Sequence, residues 1–282
     1  MKILLTGGMG FVGKHLAGRL LDEGYTFVNY DLVNGDDIRD KFKLDRLFES
    51  ENFDAVINLA ARAGVRRGED FPDEYFSTNV LGLMNLIALS EKYGVKKFIH
   101  FSSSSAFGTQ EVGTATAEGN LRQPRSIYGI TKLAGELLLE RSRLPYTIIR
   151  PFTIIGENGR KEMVIYKWLN QIKSGRPASF YGNGESYRGY TYIGDMIDGI
   201  ITCLKNKNAN YQTFNMGGAQ IVTLEELWNI FKEEYPEAER DILPMPVTDQ
   251  MYSLADTSKA EALLSWKAKT DVPKKIREMI KK

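Results

Sequence analysis

Tyr128 and Lys132 stand one helical turn apart in the run Ser126-Ile127-Tyr128-Gly129-Ile130-Thr131-Lys132. A phenol beside a cation is a base waiting to be formed. Tyrosine ordinarily titrates near pH 10, so a phenolate at neutral pH takes a depression of about 3–4 units, on the order of 4–5 kcal/mol, which the Lys132 ammonium would favour. Far upstream, Thr6-Gly7-Gly8-Met9-Gly10-Phe11-Val12-Gly13 follows an apolar run and opens a helical pattern. There Gly7 permits a turn, Gly10 lets the backbone approach a pyrophosphate, and Gly13 allows close helix–sheet packing. The helix start offers free N–H groups and partial positive charge to the phosphates. Residues 102–105, four consecutive serines, end a later apolar run. Together these groups point to hydride exchange between a nicotinamide dinucleotide and a hydroxyl-bearing carbon, and a positively charged nicotinamide would favour the phenolate alongside Lys132.

The cofactor expectation extends to neighbouring positions. Asp31 closes the second apolar run, where a carboxylate grips the adenine ribose 2′-hydroxyl and repels a 2′-phosphate, favouring NAD over NADP. The plainer reading of Asp31 is a strand-end turn residue. Asp37-Ile38 is placed to flank the adenine, and Ala60 and Ala61 supply small side chains beside the cofactor.

Elements must bring these residues together. Short apolar runs at 3–5, 27–30, 55–58, 98–101 and 147–149 predict strands, and amphipathic patterns at 11–23, 44–50, 75–93 and 128–143 predict helices between them. Alternation of this kind predicts an α/β fold, a Rossmann doubly wound parallel sheet with a smaller mixed α/β C-terminal substrate lobe. The cofactor domain is expected over 1–155, completed by segments near 190–215, and the substrate lobe over 156–282. Helices are expected at 193–204 and 224–234, the first returning to the cofactor domain.

Bulk properties narrow the class. The chain has 282 residues, 43% hydrophobic and 26% charged, with net charge +1. That balance predicts a soluble globular protein and gives no electrostatic case for nucleic acid or an anionic membrane. Cys203 is the only cysteine and His15 and His100 the only histidines, so no internal disulfide forms and no His/Cys metal centre is expected. Met1-Lys2-Ile3-Leu4-Leu5 reads as a buried first strand, too short for a signal segment, and a cytoplasmic location is expected.

With these residues assembled, the chain resembles the extended short-chain dehydrogenase/reductases, within their nucleotide-sugar epimerase and dehydratase group. The resemblance runs through the glycine turn, Asn58-Leu59-Ala60-Ala61, Thr78-Asn79-Val80-Leu81-Gly82, residues 102–108, Tyr128 to Lys132, Tyr187-Arg188-Gly189-Tyr190-Thr191-Tyr192-Ile193-Gly194-Asp195 and Ala255-Asp256-Thr257-Ser258-Lys259-Ala260. It implies NAD held by Gly7, Gly10, Phe11, Val12, Gly13, Asp31, Asp37, Ile38, Leu59, Ala60, Ala61, Asn79, Tyr128 and Lys132. It implies Ser103, counted back from Gly108, as the catalytic hydroxyl beside Tyr128 and Lys132. It further implies a homodimer formed through helices 75–93 and 128–143.

Dehydratases of this group carry an Asp-Glu pair after that serine, and decarboxylases keep a glutamate. Ser104 and Ser105 stand here instead. Elimination lacks its apparatus, and 4-epimerisation of a UDP-sugar remains. The run from Arg150 to Met163 resembles uronate 4-epimerases at Thr153 and Arg160, as does Ala63-Gly64-Val65-Arg66. UDP-glucuronate/UDP-galacturonate is the expected pair, with Ser103, Ser104, Ser105, Thr153 and Arg160 about the sugar and its carboxylate. Arg188 is expected on the diphosphate, with Asp249 and Asn158 toward the nucleotide. The chain departs from the uronate pattern at Ile155 for a tyrosine, Glu157 for a proline, Lys161-Glu162 for Pro-Asp, and Phe107 for a tyrosine. An anion at Glu157 or Glu162 near the pocket would oppose a negatively charged sugar. The alternatives are a UDP-glucose or UDP-N-acetylglucosamine 4-epimerase, a keto-sugar-nucleotide reductase, and a non-catalytic NAD-binding protein.

Overall fold

The computed structural model describes residues 1–108, 110–246 and 250–281. Its first half runs β1 (Lys2–Thr6), α1 (Phe11–Asp22), β2 (Thr26–Tyr30), α2 (Lys41–Glu51), β3 (Ala55–Asn58), α3 (Val65–Asp70), α4 (Pro72–Phe76), α5 (Leu83–Lys92), β4 (Lys97–Phe101), α6 (Ile127–Glu140) and β5 (Tyr146–Pro151). There follow β6 (Ile154–Ile155), α7 (Val164–Lys173), β7 (Ala178–Tyr181), β8 (Tyr187–Gly189), β9 (Thr191–Tyr192), α8 (Ile193–Lys205) and β10 (Gln212–Met216). The chain ends with β11 (Ile221–Thr223), α9 (Leu224–Glu234), β12 (Arg240–Leu243), β13 (Tyr252–Ser253), α10 (Ser258–Leu264) and α11 (Val272–Ile280).

Six parallel strands form the main sheet in the order β10-β5-β4-β3-β1-β2. Alternate side chains face opposite layers. Ile3, Leu5, Ile57, Ile99 and Ile149 pack against Leu16 and Leu20 of α1 and Met196 and Ile200 of α8. Leu4, Val56, Phe98 and Ile148 pack against Phe48 of α2, Leu86 of α5 and Leu139 of α6. Burial on both faces explains why the strands read as nearly unbroken apolar runs.

The C-terminal part has its own core. Trp168 of α7 stacks on Phe180 of β7 at 5.8 Å and meets Trp228 and Phe231 of α9 edge-on. Ile276 of α11 closes the cluster.

The helix expected over 75–93 is interrupted. Residues Ser77–Gly82 form a π-helical segment between α4 and α5. The Asn79 amide reaches out of that segment to the backbone of Arg62 and to the Thr131 hydroxyl. A π-bulge re-aims a side chain within a helix, and such bulges gather at functional sites.

Candidate active site

The carboxyl ends of β1, β3, β4 and β5 open into a cleft of about 460 Å³, the place where parallel α/β sheets bind ligands. The glycine turn forms one wall. Gly7 has φ +73°, and a Cβ on it would lie 2.6 Å from the Ala60 nitrogen, so turn and close approach both demand glycine. A Cβ on Gly13 would meet the Gly7 carbonyl at 2.2 Å. The third glycine thus lets α1 pack on its own turn, where helix–sheet packing was expected. Gly10 caps α1 without a side-chain hydrogen bond, and Gly10, Phe11, Val12 and Gly13 line the cleft with Leu59 and Ala61. A bare helix start facing a cavity fits a dinucleotide pyrophosphate.

Other expected cofactor residues stand behind this wall or at its edge. Asp31 is 8% exposed; its Oδ2 accepts from the Met9 amide and its Oδ1 from the Val33 amide, both at 2.9 Å. Its carboxylate therefore ties the glycine turn to the end of β2. The Asp37 carboxylate is gripped by the Arg39 guanidinium, whose hydrogen bonds hold its pKa below the usual range. The Ile38 side chain is buried in the core rather than against the cleft. Ala60 presses its backbone on Gly7, and Asn79 braces the loop at Arg62.

Ser103, Tyr128 and Lys132 converge on the opposite wall. The Ser126 hydroxyl caps α6 by accepting from the Gly129 amide at 3.1 Å. A Cβ at position 129 would lie 2.4 Å from the Ser105 carbonyl, so the glycine between tyrosine and lysine admits the serine loop against the helix. That approach sets the Ser103 hydroxyl beside the Tyr128 phenol, whose pKa it pulls down. Ser103 Oγ also accepts from the Ser105 amide at 3.1 Å. Lys132 is 4% exposed; its Nζ donates to the Phe101 carbonyl at 2.7 Å and lies 5.9 Å from the Tyr128 ring centre.

Burial pushes the Tyr128 phenol up, against the pull of Arg160 and Ser103. Burial likewise brings Lys132 down to about 8, with Glu136 opposing. The depressed phenol expected from sequence is therefore not reached by the protein's own groups, because desolvation of the site outweighs them. His100, fully buried and held neutral by desolvation, continues a polar chain from Thr6 through Asn58 beneath the cleft.

The far side is cationic. Ser104, Ser105, Thr153, Arg160 and Arg188 line the cleft, and the last three also line an adjoining cavity of about 270 Å³. Arg160 Nε lies 3.6 Å from the Glu162 carboxylate. Arg188 donates to the carbonyls of Tyr187 (2.8 Å), Met251 (3.1 Å) and Gln250 (2.6 Å), which fastens the residues just before β13 to β8. In the second cavity Arg66 and Lys167 lie 4.8 and 5.0 Å over the Tyr181 ring. Asp249 lies outside the described residues. Sequence reasoning missed Lys167 and Tyr181, and also Ser253, whose buried Oγ lines the cleft without a partner among the described residues. A two-residue strand carries Ser253, and no local pattern announces it. Among the described residues no cluster of three or more His, Cys, Asp or Glu could hold a metal ion. None of their helices is long and apolar enough to cross a membrane.

A doubly wound parallel sheet, an uncapped helix start at its switch of direction, and a Ser–Tyr–Lys set define a nicotinamide-dependent enzyme acting on an alcohol. The chain belongs to the NAD dependent epimerase/dehydratase family, which it matches over residues 3–217. It is 30% identical to a UDP-glucuronate 4-epimerase of Thermodesulfobacterium geofontis, over 98% of this chain and 94% of the relative. Among solved structures it resembles the Thermotoga maritima UDP-glucose 4-epimerase with UDP-glucose (TM-score 0.93, 27% identity, 100% and 98% coverage). It also resembles the Bacillus cereus UDP-glucuronic acid 4-epimerase with UDP-glucuronic acid and NAD (TM-score 0.91, 29% identity, 100% and 99% coverage). The protein is an NAD-dependent enzyme of the nucleotide-sugar 4-epimerase family.

Proposed function

We propose that the protein interconverts UDP-glucuronate and UDP-galacturonate by inversion at C4. The observation that carries this reading is Arg160, a cation lining the cleft close enough to Tyr128 to oppose the rise that burial imposes on its pKa, with Thr153 lining the same cleft. An arginine fork there suits the C5 carboxylate of a uronate, and the hydroxyls of Ser104 and Thr153 add donors. Arg188, Arg66 and Lys167 supply positive charge for the diphosphate next door.

NAD, when bound, supplies reversible acceptance of the C4 hydride. The protein's own part is proton handling and grip. Ser103 holds the C4 oxygen, and Tyr128 takes its proton as the C–H bond breaks. Lys132, fixed on the Phe101 carbonyl, keeps a positive charge beside the forming phenolate. The diphosphate stays anchored while the 4-keto sugar turns its other face, and Tyr128 returns the proton as hydride comes back. An ion pair with Arg160 also holds the carboxylate of the 4-keto uronate, a β-keto acid, against loss of CO₂. The cofactor domain is read as 1–155 with 190–215, the remainder forming the substrate lobe.

Exposed Leu81, Met84, Ile130 and Leu137, on and beside α5 and α6, support a homodimer through these helices. NMR of the purified protein with NAD⁺ and UDP-glucuronate tests the chemistry. UDP-galacturonate without CO₂ or net NADH is expected. Conversion of UDP-glucose or UDP-N-acetylglucosamine alone would keep the epimerase and discard the carboxylate site.

A further inference from the structure

Glu157 sits three residues before Arg160, and its carboxylate does not line either cavity. Its Oε2 accepts from the Tyr192 hydroxyl at 2.8 Å, and its Oε1 lies 3.4 Å from Lys275 Nζ. Lys275, on α11, lies over the Tyr192 ring at 4.7 Å and also reaches Glu278 at 3.4 Å. Of the two anions expected to oppose a uronate, Glu157 is thus turned outward and neutralised, whereas Glu162 lines the second cavity, 3.6 Å from Arg160 Nε. Its backbone is held as well: the Glu157 carbonyl accepts from His15 Nε2 at 2.9 Å, on the helix whose bare start faces the cofactor.

This two-sided hold adds to one anchor at the start of the turn, the Tyr166 hydroxyl, which accepts from the Gly156 amide at 2.9 Å and donates to its carbonyl at 2.6 Å. The ladder between β6 and β9 is two residues long and ends at Ile155 opposite Tyr192. Beyond it the chain makes a turn, closed by the Gly159 amide on the Gly156 carbonyl at 3.2 Å with Asn158 at φ +62°. We propose that Glu157, Tyr192 and Lys275 form a clamp that fixes this turn and so positions Arg160 against the substrate. Without the clamp the turn would keep its Tyr166 anchor alone, and the entropy cost of ordering the rest on the substrate would appear as weaker binding. The clamp also joins the sugar-facing arginine to the cofactor helix through His15. The proposal rests on Arg160 holding the sugar carboxylate.

The test uses the full chain with NAD⁺. Lys275→Met, Tyr192→Phe and Lys275→Arg are made in the wild type and in Arg160→Ala, reading KM and kcat for UDP-glucuronate, NAD affinity and melting temperature. Lys275→Met and Tyr192→Phe are expected to raise KM roughly 3- to 10-fold, with kcat and NAD affinity unchanged. Lys275→Arg restores KM, and Lys275→Met adds nothing once Arg160 is gone. An unmoved KM, or an equal rise in both backgrounds, overturns the clamp while leaving Arg160 in its role. An Arg160→Ala variant with wild-type KM overturns the carboxylate reading, and the clamp with it.

Discussion

Replacing Lys132 with methionine tests the proton-transfer step. The Nζ lies 5.9 Å from the Tyr128 ring centre. At an effective dielectric constant of about 20, a unit charge across roughly 6 Å favours the phenolate by about 2.8 kcal/mol, or about a hundredfold. The rate constant kcat is expected to fall by that factor. The pH profile carries a sharper signature. The active pair, phenolate with ammonium, holds as many protons as phenol with amine. With Lys132 at about 8 and Tyr128 above its ordinary value, the active share of wild type rises to about pH 8 and then levels. The methionine variant has no such first step, so its kcat/KM keeps climbing about tenfold per pH unit through pH 9. Stability moves the other way. The folded protein holds Lys132 near 8 against an ordinary 10.5, so between those values it binds fewer protons than the unfolded chain. The penalty is full below about pH 8 and fades as pH rises toward 10.5. At pH 7 it is on the order of 3 kcal/mol, less about 1.5–3 kcal/mol for the charge-assisted hydrogen bond to Phe101 that the variant loses. Lys132→Met is therefore expected to melt no lower than wild type at pH 7 while nearly inactive. Chromatographic epimer ratios across pH, with thermal melts, check both arms. A kcat within about threefold of wild type, a variant profile that levels at pH 8, or a lower melting point refutes the reasoning.

Tyr128→Phe removes the base but no contact to the glycine turn; kcat is expected to drop at least about a hundredfold. NAD affinity, read by titration, should stay as in wild type. Gly7→Ala forces a Cβ at φ +73° to within 2.6 Å of Ala60. It is expected to cost about 2–4 kcal/mol, seen as a lower denaturation midpoint, and to weaken NAD binding. Light scattering is expected to give a dimer mass for wild type and a monomer for Leu137→Glu; a monomeric wild type removes the α5–α6 interface.

The sheet was legible because β1, β3, β4 and β5 are buried on both faces, which leaves short apolar runs that few other elements produce, and because the half-buried edge strand β2 still carries Phe27, Val28 and Tyr30. The strand at the sheet's other edge, β10, was not: Gln212, Thr213 and Asn215 make it polar, and it pairs with β5 across some sixty intervening residues. The interrupted helix hid for a different reason. Apolar spacing reads 75–93 as continuous, whereas the π segment follows from Asn79 bonding to Arg62 and Thr131, a tertiary effect. In the site, the glycine turn and the Tyr128/Lys132 pair stand out because each is a local spacing. Arg66, Lys167 and Tyr181 come from three separate elements, and topology alone gathers them. Asp37 shows the converse: its position was readable, while its grip by Arg39 two residues on was not.

Substrate choice must lie in a few side chains, because the whole fold does not discriminate. The chain superposes on a UDP-glucose epimerase at TM-score 0.93 and on a UDP-glucuronic acid epimerase at 0.91, both along its full length. The residues proposed to move the proton stand just past β4 and on α6, where caps and backbone bonds leave little freedom. The groups proposed to face the sugar, Thr153 and Arg160, stand just before β6 and in the turn after it, outside the main sheet. Arg160→Leu isolates the charge. A lost charge-assisted hydrogen bond to a carboxylate is worth about 1.5–3 kcal/mol, so kcat/KM for UDP-glucuronate is expected to fall roughly 10- to 150-fold. That for UDP-glucose, which offers no carboxylate, is expected to change less than about threefold. Parallel assays on the two sugars give the ratio directly, and equal losses on both would assign Arg160 to the diphosphate or to Tyr128 instead of the carboxylate.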